Sequence, residues 1–439
     1  MKNNMFFIKL QKRMCLSSFL FISFYMLTSF QIFGQVVTWE EFPVDKQLYA
    51  RDGNDEGHVT YKGEIEDSRA ERYDEIRILV RKNSDNSIEN ETFTPLNYNS
   101  NDVAIFDIDV IIPAELESFN LEFYGVKDGA SNNFRSTSEI VAGDVYVIQG
   151  QSNAVAAKRE SSASAAGFES EFIRVYASGS KVDSTLLSQD AWNYGKGDAK
   201  QGVVGNVGQW GIKMARQLMD KYNIPIAIFN AAEGGTEISV FERPVDYKTN
   251  ISSNYGKLYY RLDTTRLKNS VKAFFWIQGE NDARNSTQTS TSAYMDSFTD
   301  IRSHWSEDFS GFSRIFRGQT RSACGDSNSL KVKEAQRRLA EDFNDIILVT
   351  TNDLDYIEGA SDCHFTFDNG YEKLGDRMFR LVDKEIYGAS AYDSTIYTPM
   401  IIDAYLITET TLIIETDAVN LYDNGIDVNK FSLSNSGGA

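Results

Sequence analysis

Four short stretches of this sequence carry groups suited to acyl chemistry, and each follows an apolar run. The first is Gly150-Gln151-Ser152-Asn153, after Val145 to Ile148. A serine on a tight strand-to-helix turn holds its hydroxyl above the sheet, and its N–H at the helix start can donate to an oxyanion. Gly150 permits the sharp turn. Taken alone, Ser152 or Asn153 would more commonly be a helix cap. The second stretch is Ala231-Ala232-Glu233-Gly234-Gly235-Thr236, after Ile224 to Asn230. Its paired glycines let the backbone approach a ligand, and one of them can supply a second oxyanion N–H; alone they mark a tight turn. The third is Trp276-Ile277-Gln278-Gly279-Glu280-Asn281-Asp282, ending the run from Val271. Its polar side chains either face a ligand or form a solvated turn.

The fourth stretch is Ser361-Asp362-Cys363-His364, shortly before Gly370-Tyr371. A histidine placed between a strand region and the last helix can act as general base to a serine. A nearby carboxylate would orient the ring and stabilise the imidazolium. A lone histidine is otherwise a structural residue, and His58 and His304, which lack such neighbours, are read as surface or packing residues. Together the stretches supply a nucleophile, oxyanion donors and a base in the order Ser…His, the set needed for acyl transfer.

The elements that must position these groups fall into three parts. Between residues 35 and 141 the pattern has period two. Ile76, Ile78 and Val80 alternate with Arg77, Leu79 and Arg81, and Phe106, Ile108 and Val110 alternate with Asp107 and Asp109. Alternation with frequent turns predicts half-buried antiparallel strands and a β-sandwich-like domain. Between 142 and 388, continuous apolar strands alternate with amphipathic helices. Trp210, Met214, Leu218 and Tyr222 mark one helix, Tyr294, Phe298, Ile301 and Trp305 a second, and Ala335, Leu339 and Phe343 a third. A last helix covers roughly Gly370 to Tyr387. This predicts an α/β domain with a parallel sheet covered on both faces, its ligands gathering at the carboxyl ends of the strands. Residues 389–439 return to strand-like text as a short C-terminal β segment. That segment stops without a closing element, so a continuation or further domain is expected.

Residues 1–34 read as a secretory signal peptide: Lys2, Lys9, Lys12 and Arg13, an apolar run from Cys15 to Phe33, then Gly34. The alternative is an uncleaved anchor, because about 19 apolar residues nearly span a bilayer. The chain has 44 basic against 63 acidic residues, a net charge of −19, and loss of four positive charges with residues 1–34 takes this to −23. Such a balance argues against nucleic acid as a partner and against membrane insertion after cleavage. The expected location is secreted, periplasmic or at the cell surface. After residue 34 only Cys324 and Cys363 remain, free to pair but not a disulfide framework. With three histidines and no C-x-x-C, no zinc site of Cys and His ligands is expected.

The four motifs, in this order, resemble the sialate O-acetylesterase and acetylxylan esterase branch of the SGNH (GDSL-type) hydrolases, over residues 142–388. The resemblance implies a flavodoxin-like three-layer α/β/α domain and hydrolysis of acetyl esters on sugars without metal or other cofactor. It implies Ser152 as nucleophile and His364 as base. The oxyanion hole would use the backbone of Ser152 and of Gly234 or Gly235. A side-chain donor would come from Gln278, through a Gln-Gly-Glu motif, or from Asn281, through the Gly-x-Asn-Asp pattern; Gln278 is preferred. Many members place an aspartate three residues before the histidine, where this chain has Ser361. Asp362 is therefore the first choice of acid and Glu280 the second. Gln151, Asn153, Trp192 and Tyr194 are expected to contact an O-acetylated carbohydrate, the last two by stacking. The competing readings are an inactive carbohydrate-binding or adhesion protein on this scaffold, and an esterase of lipid or aryl esters.

Overall fold

The structure, a computed structural model, describes residues 36–417 except 70, 160–161, 180–182, 285–289, 322–328, 358–362, 393–395 and 409–410. The expected signal peptide, Cys324 and Asp362 lie outside the described residues.

The N-terminal part consists of two facing antiparallel layers. Val36–Glu41, Glu56–Glu66 and Val103–Pro113 form one. Ile88–Pro95, Glu75–Lys82, Phe119–Lys127 and the start of Ala130–Gly150 form the other. In Val103–Pro113, Ala104, Phe106, Ile108, Val110 and Ile112 are buried while the residues between them point away, as strand geometry requires. They meet Ile76, Ile78, Leu121 and Phe123 of the second layer in a single core.

The second part is a sheet in the order Trp192–Tyr194, Ile173–Tyr176, Ile226–Asn230, Ala130–Gly150, Val271–Ile277, Arg314–Gly318, Ile346–Val349. All of these pairings are parallel except that of Trp192–Tyr194. Each central strand is apolar on both faces, so successive residues enter different cores. Val145, Val147, Phe274 and Trp276 pack with Leu258, Phe298, Trp305 and Leu339 from the helices on one side. Tyr146, Ile148 and Phe275 pack with Trp210, Met214, Leu218, Met378 and Leu381 from those on the other. The expected helices are Gln209–Tyr222, Thr291–Asp308, Ser329–Asp342 and Glu372–Glu385. The result is the three-layer α/β/α arrangement. Two strands, Ile173–Tyr176 and Trp192–Tyr194, and the helix Asn254–Thr264 had no counterpart in the sequence pattern. Among the described residues no helix is long and apolar enough to cross a membrane.

The boundary expected at residue 141 falls inside one strand. The first half of Ala130–Gly150 pairs with Phe119–Lys127, and its second half lies between Ile226–Asn230 and Val271–Ile277. Gly143, within that strand, is required for close approach, since a Cβ there would stand 1.9 Å from the Pro225 carbonyl oxygen. The paired charges of Arg51 and buried Asp144, joined by two hydrogen bonds of 2.9 Å, tie the sandwich to the start of the parallel sheet. The C-terminal segment is an antiparallel hairpin of Ile401–Thr408 and Thr411–Thr416.

The central strand ends at Gly150, with φ +129°, where a Cβ would come 2.1 Å from the Ile277 carbonyl oxygen. Both the dihedral and the contact demand glycine. Gly150→Ala is therefore expected to destabilise the fold by about 2 kcal/mol or more. Denaturant unfolding would measure this, and an unchanged midpoint would contradict the assigned backbone.

Candidate active site at the strand ends

Ser152 opens a one-turn helix, Ser152–Val155, that ends at Ala156 in the left-handed conformation, φ +45°. Its exit is fixed by Asn230, whose side-chain amide donates to the carbonyls of Ala154 (3.0 Å) and Val207 (2.8 Å). The neighbouring strand ends are laced to it: Gln151 N–H donates to Ile277 O and Glu233 N–H to Gly150 O, both at 2.8 Å. Ser152 Oγ lies 3.0 Å from His364 Nε2.

Ser152, His364, Gly234, Gly235, Glu280 and Asn281 share a cleft of about 360 Å³. Gln151, Cys363 and two arginines complete its wall. A Cβ built on Gly234 would sit 3.9 Å from Ser152 Cβ, so this backbone abuts Ser152. The Gly234 N–H currently donates to Gln201 Oε1 at 3.1 Å. Among the described residues no group of three or more His, Cys, Asp or Glu side chains could hold a metal ion.

Asn153 does not face the cleft as a substrate contact, because its buried side chain is fully engaged inside the protein. Its Nδ2 donates to Glu280 Oε1 and to the Cys363 carbonyl, both at 2.8 Å. Its Oδ1 accepts from Tyr371 OH at 2.8 Å, and its own carbonyl accepts from Trp210 Nε1 at 2.9 Å. It therefore joins the turn carrying Ser152 to the turn carrying Glu280 and to the residue preceding His364. Glu280 is buried, and burial raises its carboxyl above the ordinary range, an effect the Asn153 hydrogen bond partly offsets.

Gln278 and Asn281 are separated by burial. Gln278 is wholly buried and lies off the cleft. Its amide nitrogen donates to Asp282 and, at 3.3 Å, to the Thr236 carbonyl; its Oε1 accepts from Tyr294 OH at 2.8 Å. It thus braces the turn, contrary to its expected place in the oxyanion hole, whereas Asn281 borders the cleft. Gln151 also braces this turn, its Oε1 accepting from the backbone N–H of Gly279 (3.2 Å) and Asn281 (3.1 Å). Asp282 accepts from Ile238 N–H at 3.1 Å.

Trp192 and Tyr194 do not line the cleft either. Trp192 is a core residue packed edge-on to Tyr176 and Phe229. The Arg174 guanidinium stands over the Tyr194 ring, 4.8 Å from its centre, and Tyr194 pairs with Arg174 near the start of Ile173–Tyr176. Both belong to an edge strand that pairs in the sheet. Cys363 is disulfide-bonded, and its sulfur accepts from Arg284 Nη2 at 3.1 Å.

Sequence reasoning missed Asn230, Asn254 and Arg261. Asn254 Nδ2 donates to the Ala231 carbonyl at 3.0 Å and to Glu233 at 3.2 Å. Buried Arg261 donates to the carbonyls of Tyr176 (2.9 Å) and Asn230 (2.8 Å). An asparagine ending an apolar run was the one available signal, at Asn230.

A serine hydrogen-bonded to a histidine at the carboxyl ends of a parallel sheet is an arrangement suited to acyl transfer. The chain belongs to the carbohydrate esterase family of sialic acid-specific acetylesterases, whose model matches residues 142–384, more than half of the sequence. It is thus an esterase of the class that acts on acetylated carbohydrates. A solved carbohydrate acetylesterase from Xanthomonas citri is similar in fold, with TM-score 0.56, 16% identity, and coverage of 87% of this chain and 82% of that one. A protein from Arabidopsis thaliana matches at 19% identity and TM-score 0.44, over 56% of this chain and 99% of its own. No curated protein matches the sequence.

Asn153→Ala would strand Glu280, Tyr371 and the Cys363 carbonyl in a buried site. A stability loss of at least about 2 kcal/mol is expected, with a lower kcat and little change in KM; calorimetry and kinetics together check this. Glu280→Gln tests the carboxyl. Because burial raises its pKa above 4.5, the wild-type contribution is fully present below that value and is lost as pH rises through the folded one. The melting temperature of Glu280→Gln relative to wild type should therefore rise between acid and neutral pH. A difference independent of pH would contradict this.

Proposed function

We propose that this protein is an exported serine esterase that removes O-acetyl groups from carbohydrates through an acetyl-enzyme on Ser152. The observation that carries the proposal is the 3.0 Å hydrogen bond between Ser152 Oγ and His364 Nε2 in a cleft bordered by Gly234 and Asn281. His364 takes the serine proton as Oγ attacks the acetyl carbonyl. The developing oxyanion accepts from the N–H of Ser152, from that of Gly234 (released from Gln201) or Gly235, and from the Asn281 side chain. His364 then protonates the departing sugar oxygen. Water activated by the same histidine releases acetate.

Asp362 is proposed to orient His364 directly. Glu280 supports the base at one remove, through Asn153 and the Cys363 carbonyl. Export is supported by the basic and then apolar residues 1–34, and a disulfide beside the base is in keeping with an oxidising compartment.

Acetate release from acetylated xylan and from O-acetylated sialic acid, by wild type and Ser152→Ala in parallel, tests the activity. Release by the wild type alone is expected; equal release by both would contradict the serine mechanism. Asn281→Ala should lower kcat by about 10²–10³-fold if it completes the oxyanion hole. Gln278→Ala should instead act mainly on the melting temperature, since it removes the brace of the turn. The reverse pattern would return the donor role to Gln278.

A further inference from the structure

The backbone N–H of Gly234, which the proposed mechanism gives to the oxyanion, already has an acceptor. It donates to Gln201 Oε1 at 3.1 Å. A Cβ built on Gly234 would stand 3.8 Å from that oxygen and 3.9 Å from Ser152 Cβ, so the amide oxygen rests on the backbone that borders Ser152. Gln201 is half-buried and comes from the loop between Trp192–Tyr194 and Gln209–Tyr222. It presents a neutral amide carbonyl to a donor that the acyl oxygen of a substrate would need.

Both sides of this contact are held by other bonds. The turn carrying Gly234 is fixed by Glu233 N–H donating to Gly150 O (2.8 Å), Thr236 Oγ1 to Glu233 O (2.6 Å), Asn254 Nδ2 to Ala231 O (3.0 Å) and Gln278 Nε2 to Thr236 O (3.3 Å). The loop carrying Gln201 is held by Gln189 Nε2 donating to Gly202 O (3.2 Å), Asn206 Nδ2 to Ala199 O (2.7 Å) and Lys196 N–H to Gly205 O (2.7 Å). What the Gln201 oxygen adds is a partner for one N–H beside Ser152. An ester carbonyl is a weaker acceptor than an amide carbonyl and does not displace it readily. The charged oxygen of a tetrahedral intermediate does, because charge-assisted hydrogen bonds are about twice as strong as neutral ones. A donor yielded to the charged species alone favours the transition state over bound substrate, the condition for raising kcat.

We propose that Gln201 gates the oxyanion hole. Its side-chain oxygen occupies the Gly234 N–H in the resting protein and gives way as the acyl oxygen becomes an oxyanion. The backbone donors stay in place, and only the glutamine side chain moves. The inference rests on the esterase reading of the same cleft.

The test measures kcat/KM on an O-acetylated sugar and on p-nitrophenyl acetate for the wild type, Gln201→Met and Gln201→Glu, with a melting curve for each. Methionine keeps the length of the side chain and removes the amide oxygen. The N–H then holds only water, so kcat/KM should rise by about two- to tenfold, the worth of one neutral hydrogen bond. Glutamate offers a charged acceptor that grips the N–H more tightly, and kcat/KM at neutral pH should fall by about tenfold. Opposite effects of the two substitutions, with little change in melting temperature for Gln201→Met, are the expected result. A residue that merely positioned the turn would lose activity in both variants. Wild-type turnover with Gln201→Met equal to or slower than it would overturn the gate and leave the esterase reading standing. No turnover of either ester by the folded wild type and the folded Gln201→Met variant would sink the esterase reading, and the gate with it.

Discussion

The catalytic geometry depends on one buried amide. Ser152 and His364 are 212 residues apart in the chain and come from opposite ends of the α/β domain. Asn153, directly after the nucleophile, donates to the carbonyl directly before the histidine. The same nitrogen donates to Glu280, and the amide oxygen takes the Tyr371 hydroxyl. A buried network of this kind stabilises only when every member is satisfied, which makes it both a brace and a point of failure. The nucleophile–base distance follows from this bracing more than from the hydrogen bond between the two reacting groups.

The brace rests on strands that are hydrogen-bonded to one another on both sides. The central strand Ala130–Gly150 is hydrogen-bonded to neighbours along both halves and belongs to the sandwich and the parallel sheet at once. Arg51 and Asp144 pin the crossing point. Glycines at the strand ends, Gly150 and Gly279, both with positive φ, turn the chain sharply into the two catalytic turns. Preorganised donors on rigid elements are what an oxyanion site requires, since no reorganisation is then needed as charge develops.

Much of this architecture was legible in the sequence. Apolar runs such as Val271–Ile277 read as buried parallel strands because both faces are covered, and the helices with a clear 3.6 period emerged near their observed bounds. Ile173–Tyr176 escaped because it is short and includes a charged residue, Arg174, that is nevertheless buried. The reading of the site depended on knowing which way each side chain points. Trp192 and Tyr194 were expected to stack on a sugar, yet they sit on an edge strand whose tryptophan fills the core. Gln278 and Asn281 fit two overlapping motifs, and the text alone favoured Gln278. Only the turn at Gly279 decides that one enters the interior and the other borders the cleft. Asn153 looked like a substrate contact because it adjoins the nucleophile, while its partners come from distant turns that the local sequence does not display.

The central claim is that Ser152 carries the acetyl group between the two half-reactions. Its most direct test is rapid quenching during turnover of an activated acetyl ester, followed by mass spectrometry of the proteolysed protein. The account predicts an acetyl adduct on the peptide containing Ser152, at Ser152 itself, forming and decaying at rates consistent with turnover and absent from Ser152→Ala. Turnover without such an adduct, or with the acetyl group on another residue at kinetically competent rates, would contradict it.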